Sequence, residues 1–130
     1  MKASAAKILI VDDEATVREF VDRVLREARY TTALAASGTE ALATAEQLGP
    51  FDLLVADVVM PEMTGDELAR RLCQGDPDLK VLYLTGYSDR LFKTKATLRE
   101  NEAFLDKPCT VNALLEAVSL LLFGHIPQAS

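Results

Sequence analysis

The sequence of 130 residues has few of the residues that mark several common classes of site. It contains only two cysteines, Cys73 and Cys109, and neither shows the paired C-x-x-C spacing of a zinc or redox site. Both are therefore expected to be reduced and partly buried. The single histidine, His125, has no cysteine or histidine at a metal-ligand spacing, which argues against a metal site or a phosphohistidine there.

Long hydrophobic runs are also lacking. The longest ones, such as residues 8–11 and 120–123, are far shorter than the roughly 20 apolar residues that span a bilayer. The first run ends in Asp12 and Asp13, which the apolar segment of a signal peptide would not tolerate. We therefore expect no membrane span and a cytoplasmic location.

Basic residues are in the minority. Fourteen lysines and arginines stand against 20 acidic residues, which gives a net charge of −6. Because clustered lysine and arginine drive binding to phosphate backbones, nucleic acid is not expected as a direct partner. The length suits one domain that buries roughly two thirds of its surface. We predict a single domain over residues 1–130, with a core at about 7–123 and a tail at 124–130.

Continuous apolar segments alternate with amphipathic ones along the chain. Residues 7–11, 51–56 and 81–84 are apolar runs, and residues 30–35 and 103–105 are weaker examples of the same kind. Such runs are typical of strands that are buried on both faces of a parallel sheet. The sequence thus predicts five strands.

The segments between these runs have helical periodicity. A stripe with spacings of three and one predicts an amphipathic first helix; its members are Val17, Phe20, Val21, Val24, Leu25 and Ala28. Residues 37–40 (SGTE) and 64–67 (TGDE) have the S/T-x-x-E form that caps a helix start, and glycine and proline at 49–50 and 75–77 end the two helices. A fourth helix is predicted from Ser88 and Asp89, and a fifth over residues 111–123. Strict alternation favours a parallel sheet with helices on both faces.

Polar residues follow four of the five predicted strands. Asp12 and Asp13 end the first strand, Asp57 the third and Thr85 the fourth, while the fifth leads into Lys107. Ligands of such sheets bind beyond the carboxyl ends of the strands, where these groups would meet. Crowded carboxylates repel one another, so such a cluster normally holds a cation or shares protons, and an all-oxygen acidic pocket suits Mg²⁺. Asp57 could then act as a nucleophile that forms an acyl phosphate.

Four motifs in order carry a resemblance to a known family. They are residues 8–14 (ILIVDDE), 57–65 (DVVMPEMTG), 84–86 (LTG) and 104–108 (FLDKP). With the intervening helices, they make the chain resemble the response-regulator receiver domains of two-component signalling, in the manner of a chemotaxis regulator, from residue 7 to about 123. Residues 84–89 and 104–108 are similar to the receivers of hybrid sensor histidine kinases.

The resemblance implies a flavodoxin-like, doubly wound α/β fold with a five-stranded parallel sheet of order 2-1-3-4-5 and five helices. It implies a phosphoacceptor module that takes its phosphoryl group, with Mg²⁺, from a histidine kinase or a histidine phosphotransfer protein. The surface of the fourth helix, fifth strand and fifth helix would control an unknown downstream target. The family's chemistry is limited to the module's own phosphorylation and dephosphorylation, so an enzyme acting on separate substrates is not expected. A monomer or a weak homodimer is implied.

The resemblance also assigns roles to the acidic residues. Asp57 matches the phosphoacceptor, while Asp12 and Asp13 match the acidic pair that recruits Mg²⁺. The backbone carbonyl of Val59 matches a further metal ligand.

Three other positions match the contacts and the switch of the family. Lys107 would pair with one phosphoryl oxygen, and the hydroxyl of Thr85 would donate to another. Phe104 occupies the aromatic switch position, where the ring turns inward once Thr85 has moved. The bond between Lys107 and Pro108 is expected to be cis.

Two positions depart from the commonest pattern of the family. Val59 replaces a residue that is often polar, and Tyr87 is bulky. Both flank the expected path of the attacking water, so we hypothesise that they slow hydrolysis of the phosphoaspartate. Phe104 lacks the hydroxyl of a tyrosine, so its switching would depend on ring packing alone.

Two other classes share parts of this pattern. An aspartate-nucleophile phosphohydrolase would have Asp-x-Asp after the first strand and a cap domain or second acidic motif, whereas the acidic pair here is adjacent. A flavin- or nucleotide-binding domain would need a phosphate loop in which Asp12, Asp13 and Glu14 would repel the anion. Both classes fit less well than the receiver.

Overall fold

The computed structural model describes residues 6–86, 98 and 100–124. Within them five strands and four helices follow one another in chain order. The strands are β1 (Lys7–Val11), β2 (Thr31–Ala35), β3 (Leu53–Ala56), β4 (Lys80–Thr85) and β5 (Glu102–Asp106). The helices are α1 (Ala15–Glu27), α2 (Gly38–Leu48), α3 (Gly65–Gly75) and α4 (Val111–Phe123). The described residues form four helices rather than the predicted five. The helix predicted from Ser88 and Asp89 lies outside the described residues.

All five strands are parallel, and their order is β2-β1-β3-β4-β5, as the resemblance implied. The chain continues from β1 to β2, which lies at one edge of the sheet, and then returns to β3, which lies on the opposite side of β1. The topological switch point therefore lies between β1 and β3, whose last residues, Val11 and Ala56, are paired. In sheets of this kind a binding cleft opens at the carboxyl ends of such strands.

The strands are buried because both faces of the sheet are covered. Odd and even positions of each strand point to opposite faces, which divides the core into two clusters. One cluster joins Leu9, Leu54 and Tyr83 to residues of α2 and α3. The other joins Ile10, Val55 and residues of α1 and α4. This double burial explains why the strands read as continuous apolar runs.

The predicted helix starts are confirmed, although the capping differs in detail. The hydroxyl oxygens of Ser37 and Thr64 accept hydrogen bonds from the backbone N–H of Glu40 and Glu67, at 3.1 and 3.4 Å. Glu40 reaches back to the N–H of Ala36, one residue before the N-cap Ser37, rather than to that of Ser37 itself. Glu67 does not reach back, because its carboxylate is held by two arginines on the next turn of α3.

Strand β3 begins two residues later than the predicted start at Phe51. The side chain of Asp52 accepts the backbone N–H of Lys7 at 2.8 Å, a donor that a strand carbonyl would otherwise take. The backbone of Asp52 still bonds to both neighbouring strands, since its N–H donates to the carbonyl of Lys7 at 2.8 Å and its carbonyl accepts the N–H of Lys80 at 3.2 Å. No helix formed by the described residues combines the length and apolar character needed to cross a membrane.

Candidate functional site

The two buried aspartates of the cleft leave the sheet from neighbouring strands. The backbone N–H of Asp57 donates to the carbonyl of Val11 at 3.0 Å, so Asp57 directly continues the ladder between β3 and β1. Asp12 and Asp57 are 3% and 6% exposed, whereas Asp13 is exposed. One carboxylate oxygen from each of the three residues lies within 4.8 Å of the others. The sequence prediction that these three carboxylates meet is confirmed.

The surroundings of Asp57 shift its pKa in opposite directions. Burial, and after it the neighbouring Asp12 carboxylate, raise the pKa of Asp57, which reaches about 6 once all contacts are included. The ammonium group of Lys107 and the backbone N–H of Val58 oppose this shift but do not cancel it. At neutral pH Asp57 is therefore mostly ionised, yet its negative charge is only partly compensated by the protein.

Lys107 lies at the centre of the carboxylates. Its backbone N–H donates to the carbonyl of Thr85 at 2.9 Å, which fixes the start of the loop after β5. Its Nζ lies 2.9 Å from Oδ2 of Asp12 and 3.5 Å from Oδ2 of Asp57, and it donates to Oε1 of Glu14 at 3.3 Å. Burial alone would lower the pKa of Lys107, but these carboxylates outweigh it and raise the pKa. The peptide bond to the following proline is cis, as the resemblance implied.

The acidic cluster has the chemistry of a divalent-cation site. Three carboxylates supply only oxygen ligands, which Mg²⁺ prefers, and Mg²⁺ uses few protein ligands beside water and phosphate oxygens. Three carboxylates meet here, and Lys107 brings a single positive charge close to Asp12 and Asp57. The residues present thus fit Mg²⁺.

The remaining predicted residues lie on or beside the cleft. Thr85 ends β4 and is fully buried, and Phe104 is half-buried on β5, where it pairs with Tyr83. The half-buried side chain of Val59 packs against the core cluster beneath α2 and α3. Tyr87, which completes the hydrolysis hypothesis, lies outside the described residues.

Gly65, at the start of α3, has a role that sequence reasoning missed. A Cβ atom at Gly65 would lie 2.0 Å from the backbone oxygen of Asp57, closer than any real contact. The N–H of Gly65 donates to the carbonyl of Val58 at 2.9 Å. The helix therefore presses directly on the backbone that carries Asp57. The signal in the sequence is the glycine eight residues after Asp57, which belongs to the motif at 57–65 and to the predicted helix cap, neither of which indicates this close contact.

Glu14 and Arg18 also enter the site without having been predicted. Glu14 precedes the first helical residue of α1, but its side chain makes no capping hydrogen bond and turns to Lys107 instead. Its backbone N–H donates to Oδ1 of Asp12 at 2.9 Å. Arg18 donates from Nη1 to the carbonyl of Asp12 at 2.6 Å. These contacts hold the loop between β1 and α1, and only their proximity in sequence to Asp12 hinted at them.

The fold and the cleft together indicate the class of protein. A five-stranded parallel sheet of this order, with an acidic cleft at the switch point, is the flavodoxin-like α/β architecture. The sequence profile of the response regulator receiver domain matches residues 8–119. The chain belongs to the response regulator receiver domain family of two-component systems, which sets aside the phosphohydrolase and flavin-binding alternatives.

Curated relatives include proteins of different overall length. The chain is 39% identical over 121 residues to the sensor kinase CckA of Brucella abortus (strain 2308), covering 92% of this chain and 13% of CckA. It is 33% identical over 118 residues to the response regulator receiver protein CpdR of the same organism, covering 91% of this chain and 98% of CpdR. The chain thus spans a small part of one relative and nearly all of the other. The first match agrees with the predicted similarity to receivers of sensor kinases.

A solved structure shows the same likeness in three dimensions. The response regulator protein TrrA from Thermotoga maritima, in complex with Mg²⁺-BeF, has a TM-score of 0.79 and 32% sequence identity. The match covers 90% of this chain and 99% of that one.

Proposed function

We propose that this protein is a phosphoacceptor signalling module in which Asp57 accepts a phosphoryl group from the phosphohistidine of a histidine kinase or a histidine phosphotransfer protein. The observation that carries the proposal is the convergence of Asp12, Asp13 and Asp57, two of which, Asp12 and Asp57, also contact Lys107. An acceptor carboxylate, a cation site and a fixed ammonium group are the parts that phosphoryl transfer requires.

The proposed transfer is a single displacement. A carboxylate oxygen of Asp57 attacks phosphorus, the P–O bond forms as the P–N bond of the donor breaks, and the electron pair stays on the imidazole nitrogen. Lys107 offsets charge on one phosphoryl oxygen, and the hydroxyl of Thr85 donates to another. Since the pKa of Asp57 is about 6, the attacking group is already ionised at pH 7.

The cation site would be formed by Asp12, Asp13, Asp57 and the backbone carbonyl of Val59. When bound, Mg²⁺ supplies positive charge that offsets the acidic cluster and the phosphoryl oxygens. The likeness to TrrA, whose structure contains Mg²⁺-BeF, supports this ligand class.

Return to the resting state would occur by self-catalysed hydrolysis. Water attacks phosphorus, the bond to Asp57 breaks, and inorganic phosphate leaves. The module would thus catalyse only its own phosphorylation and dephosphorylation. The apolar side chain of Val59 would slow the water step, because it offers no hydrogen bond to the attacking water.

The output would pass through Thr85 and Phe104 to a partner. Movement of Thr85 toward the phosphoryl group would let the Phe104 ring turn inward. This would change the surface of β5 and of α4, which is the helix predicted as the fifth. That surface includes the exposed apolar side chains of Val111, Leu120 and Phe123, which could contact a downstream protein. The relatives CckA and CpdR support a place in two-component signalling, while the identity of the target is left to experiment.

The test is phosphorylation by a small donor. The protein is incubated with Mg²⁺ and acetyl phosphate, and intact-protein mass spectrometry is expected to find one acid-stable, base-labile phosphoryl adduct. Asp57→Asn should abolish it. Asp52→Asn, which removes an acidic side chain at the opposite end of β3, should retain it. Absence of the adduct in the parent protein, or its persistence in Asp57→Asn, would contradict the proposal.

A further inference from the structure

Three carboxylates contact the ammonium group of Lys107, and one of them, that of Glu14, has no role in the proposed phosphoryl transfer. Its Nζ carries three N–H donors, and three carboxylates surround it: Asp12 at 2.9 Å, Glu14 at 3.3 Å and Asp57 at 3.5 Å. The donors are thus matched in number by protein acceptors. A phosphoryl oxygen that binds Lys107 must therefore displace one of the three.

The three carboxylates differ in how easily they can leave. Asp12 has a side chain that is 4% exposed, and its Oδ1 is held by the N–H of Glu14. The side chain of Asp57 is 7% exposed and is itself the acceptor, so it stays within the reacting group. Glu14 is 62% exposed and can move into water, where exposed ion pairs are weak. Displacing Glu14 is the least costly exchange.

The conformation of Glu14 supports the same conclusion. It occupies the N-cap position of α1, which short side chains such as serine or aspartate usually cap. Here the side chain makes no capping hydrogen bond and crosses to Lys107, which lies 93 positions away in the sequence. The ion pair with Lys107 is therefore not held by any capping contact of Glu14 with its own helix.

We propose that Glu14 is a positioning residue that acts as the exchangeable partner of Lys107, accepting the ammonium N–H that a phosphoryl oxygen takes when Asp57 is phosphorylated. Glu14 therefore stabilises the unphosphorylated form and weakens binding of a phosphoryl group. This inference rests on the proposed function. It assigns Glu14 no contact with the reacting atoms.

The experiment separates the contact of Glu14 from its charge. Glu14→Gln removes the charge and weakens the contact, whereas Glu14→Asp keeps the charge but is too short by one methylene to reach Lys107. Glu62→Gln, in the exposed loop after Asp57, removes one acidic charge that has no contact with Lys107 and serves as the control. Binding of Mg²⁺-beryllofluoride is measured by calorimetry. Both Glu14 variants are expected to bind about two- to fivefold more tightly than the parent, in line with an exposed ion pair, and the control less than about 1.5-fold.

A second readout does not depend on metal or phosphoryl binding. In protein treated with a chelator, the ¹⁵N resonance of the Lys107 ammonium group is expected to shift in both Glu14 variants and to stay in place in Glu62→Gln. A structural effect elsewhere would not move this signal selectively.

Each other outcome has a definite meaning. Unchanged or weaker beryllofluoride binding in both Glu14 variants overturns the inference, as does tighter binding in Glu14→Gln alone, which would indicate a field effect without contact. An unmoved Lys107 resonance also overturns it. If the parent protein binds no beryllofluoride and accepts no phosphate, the proposed function fails, while the resonance still tests the contact by itself.

Discussion

Replacing the acceptor Asp57 by asparagine should make the folded protein more stable in the absence of Mg²⁺. The carboxylate is buried beside Asp12, and its pKa is raised from 3.8 to about 6. Each pKa unit corresponds to about 1.36 kcal/mol, so the ionised Asp57 costs the folded state up to about 3 kcal/mol at pH 7. Water at the mouth of the cleft screens part of this, and we expect Asp57→Asn to gain about 1–2 kcal/mol.

The pH dependence follows from the direction of the pKa change. Because the pKa of Asp57 is higher in the folded protein than in the unfolded chain, the folded state binds more protons between pH 3.8 and about 6. The advantage of Asp57→Asn is therefore fully present above pH 6 and shrinks as the pH falls toward 4. Added Mg²⁺ should also narrow it, since a ligand that binds the folded parent stabilises that state.

Urea unfolding followed by circular dichroism, with a chelator and at pH 7, 6 and 5, measures the difference. Asp106→Asn is the matched control, because Asp106 is exposed and should change stability by less than about 0.5 kcal/mol. If Asp57→Asn is no more stable than the parent at pH 7, or if its advantage grows at lower pH, the account of the acidic cleft is wrong.

Three further changes test other parts of the structure. Gly65→Ala should cost about 1–3 kcal/mol of unfolding free energy and slow acetyl phosphate labelling, because its Cβ would collide with the backbone of Asp57. Tyr83→Phe should cost about 1 kcal/mol in urea unfolding, since the buried phenol donates to Oε2 of Glu102 at 3.4 Å. Val59→Asn should shorten the lifetime of the phosphorylated protein, measured by the loss of the phosphoryl adduct after the donor is removed.

Matched controls accompany these changes. Gly75→Ala, at the other end of α3, places its Cβ in open space and should cause no loss of stability. Tyr30→Phe, which alters a half-buried tyrosine, should cost less than Tyr83→Phe. A phosphoryl lifetime in Val59→Asn equal to that of the parent would refute a role for Val59 in the water step.

The sequence predicted the elements well because their signals are local. Runs buried on both faces, amphipathic stripes and caps such as Ser37 each depend on a few neighbouring residues, and the structure confirms them with small shifts of boundary. The start of β3 at Leu53 rather than Phe51 was not predicted, because an apolar run does not mark the residue at which a strand begins.

The sequence by itself also determined which groups share the cleft. Strict alternation favours a parallel sheet, and parallel strands bring their carboxyl ends to one edge, so Asp12, Asp57 and Lys107 were predicted to lie at the same edge of the sheet. Only the tertiary structure decided how they share charge. The third carboxylate on Lys107, from Glu14, and the approach of Gly65 to Asp57 depend on where two loops and a helix dock against the sheet. Periodicity reports the burial of each element, whereas such distances are fixed by packing between elements remote in the chain.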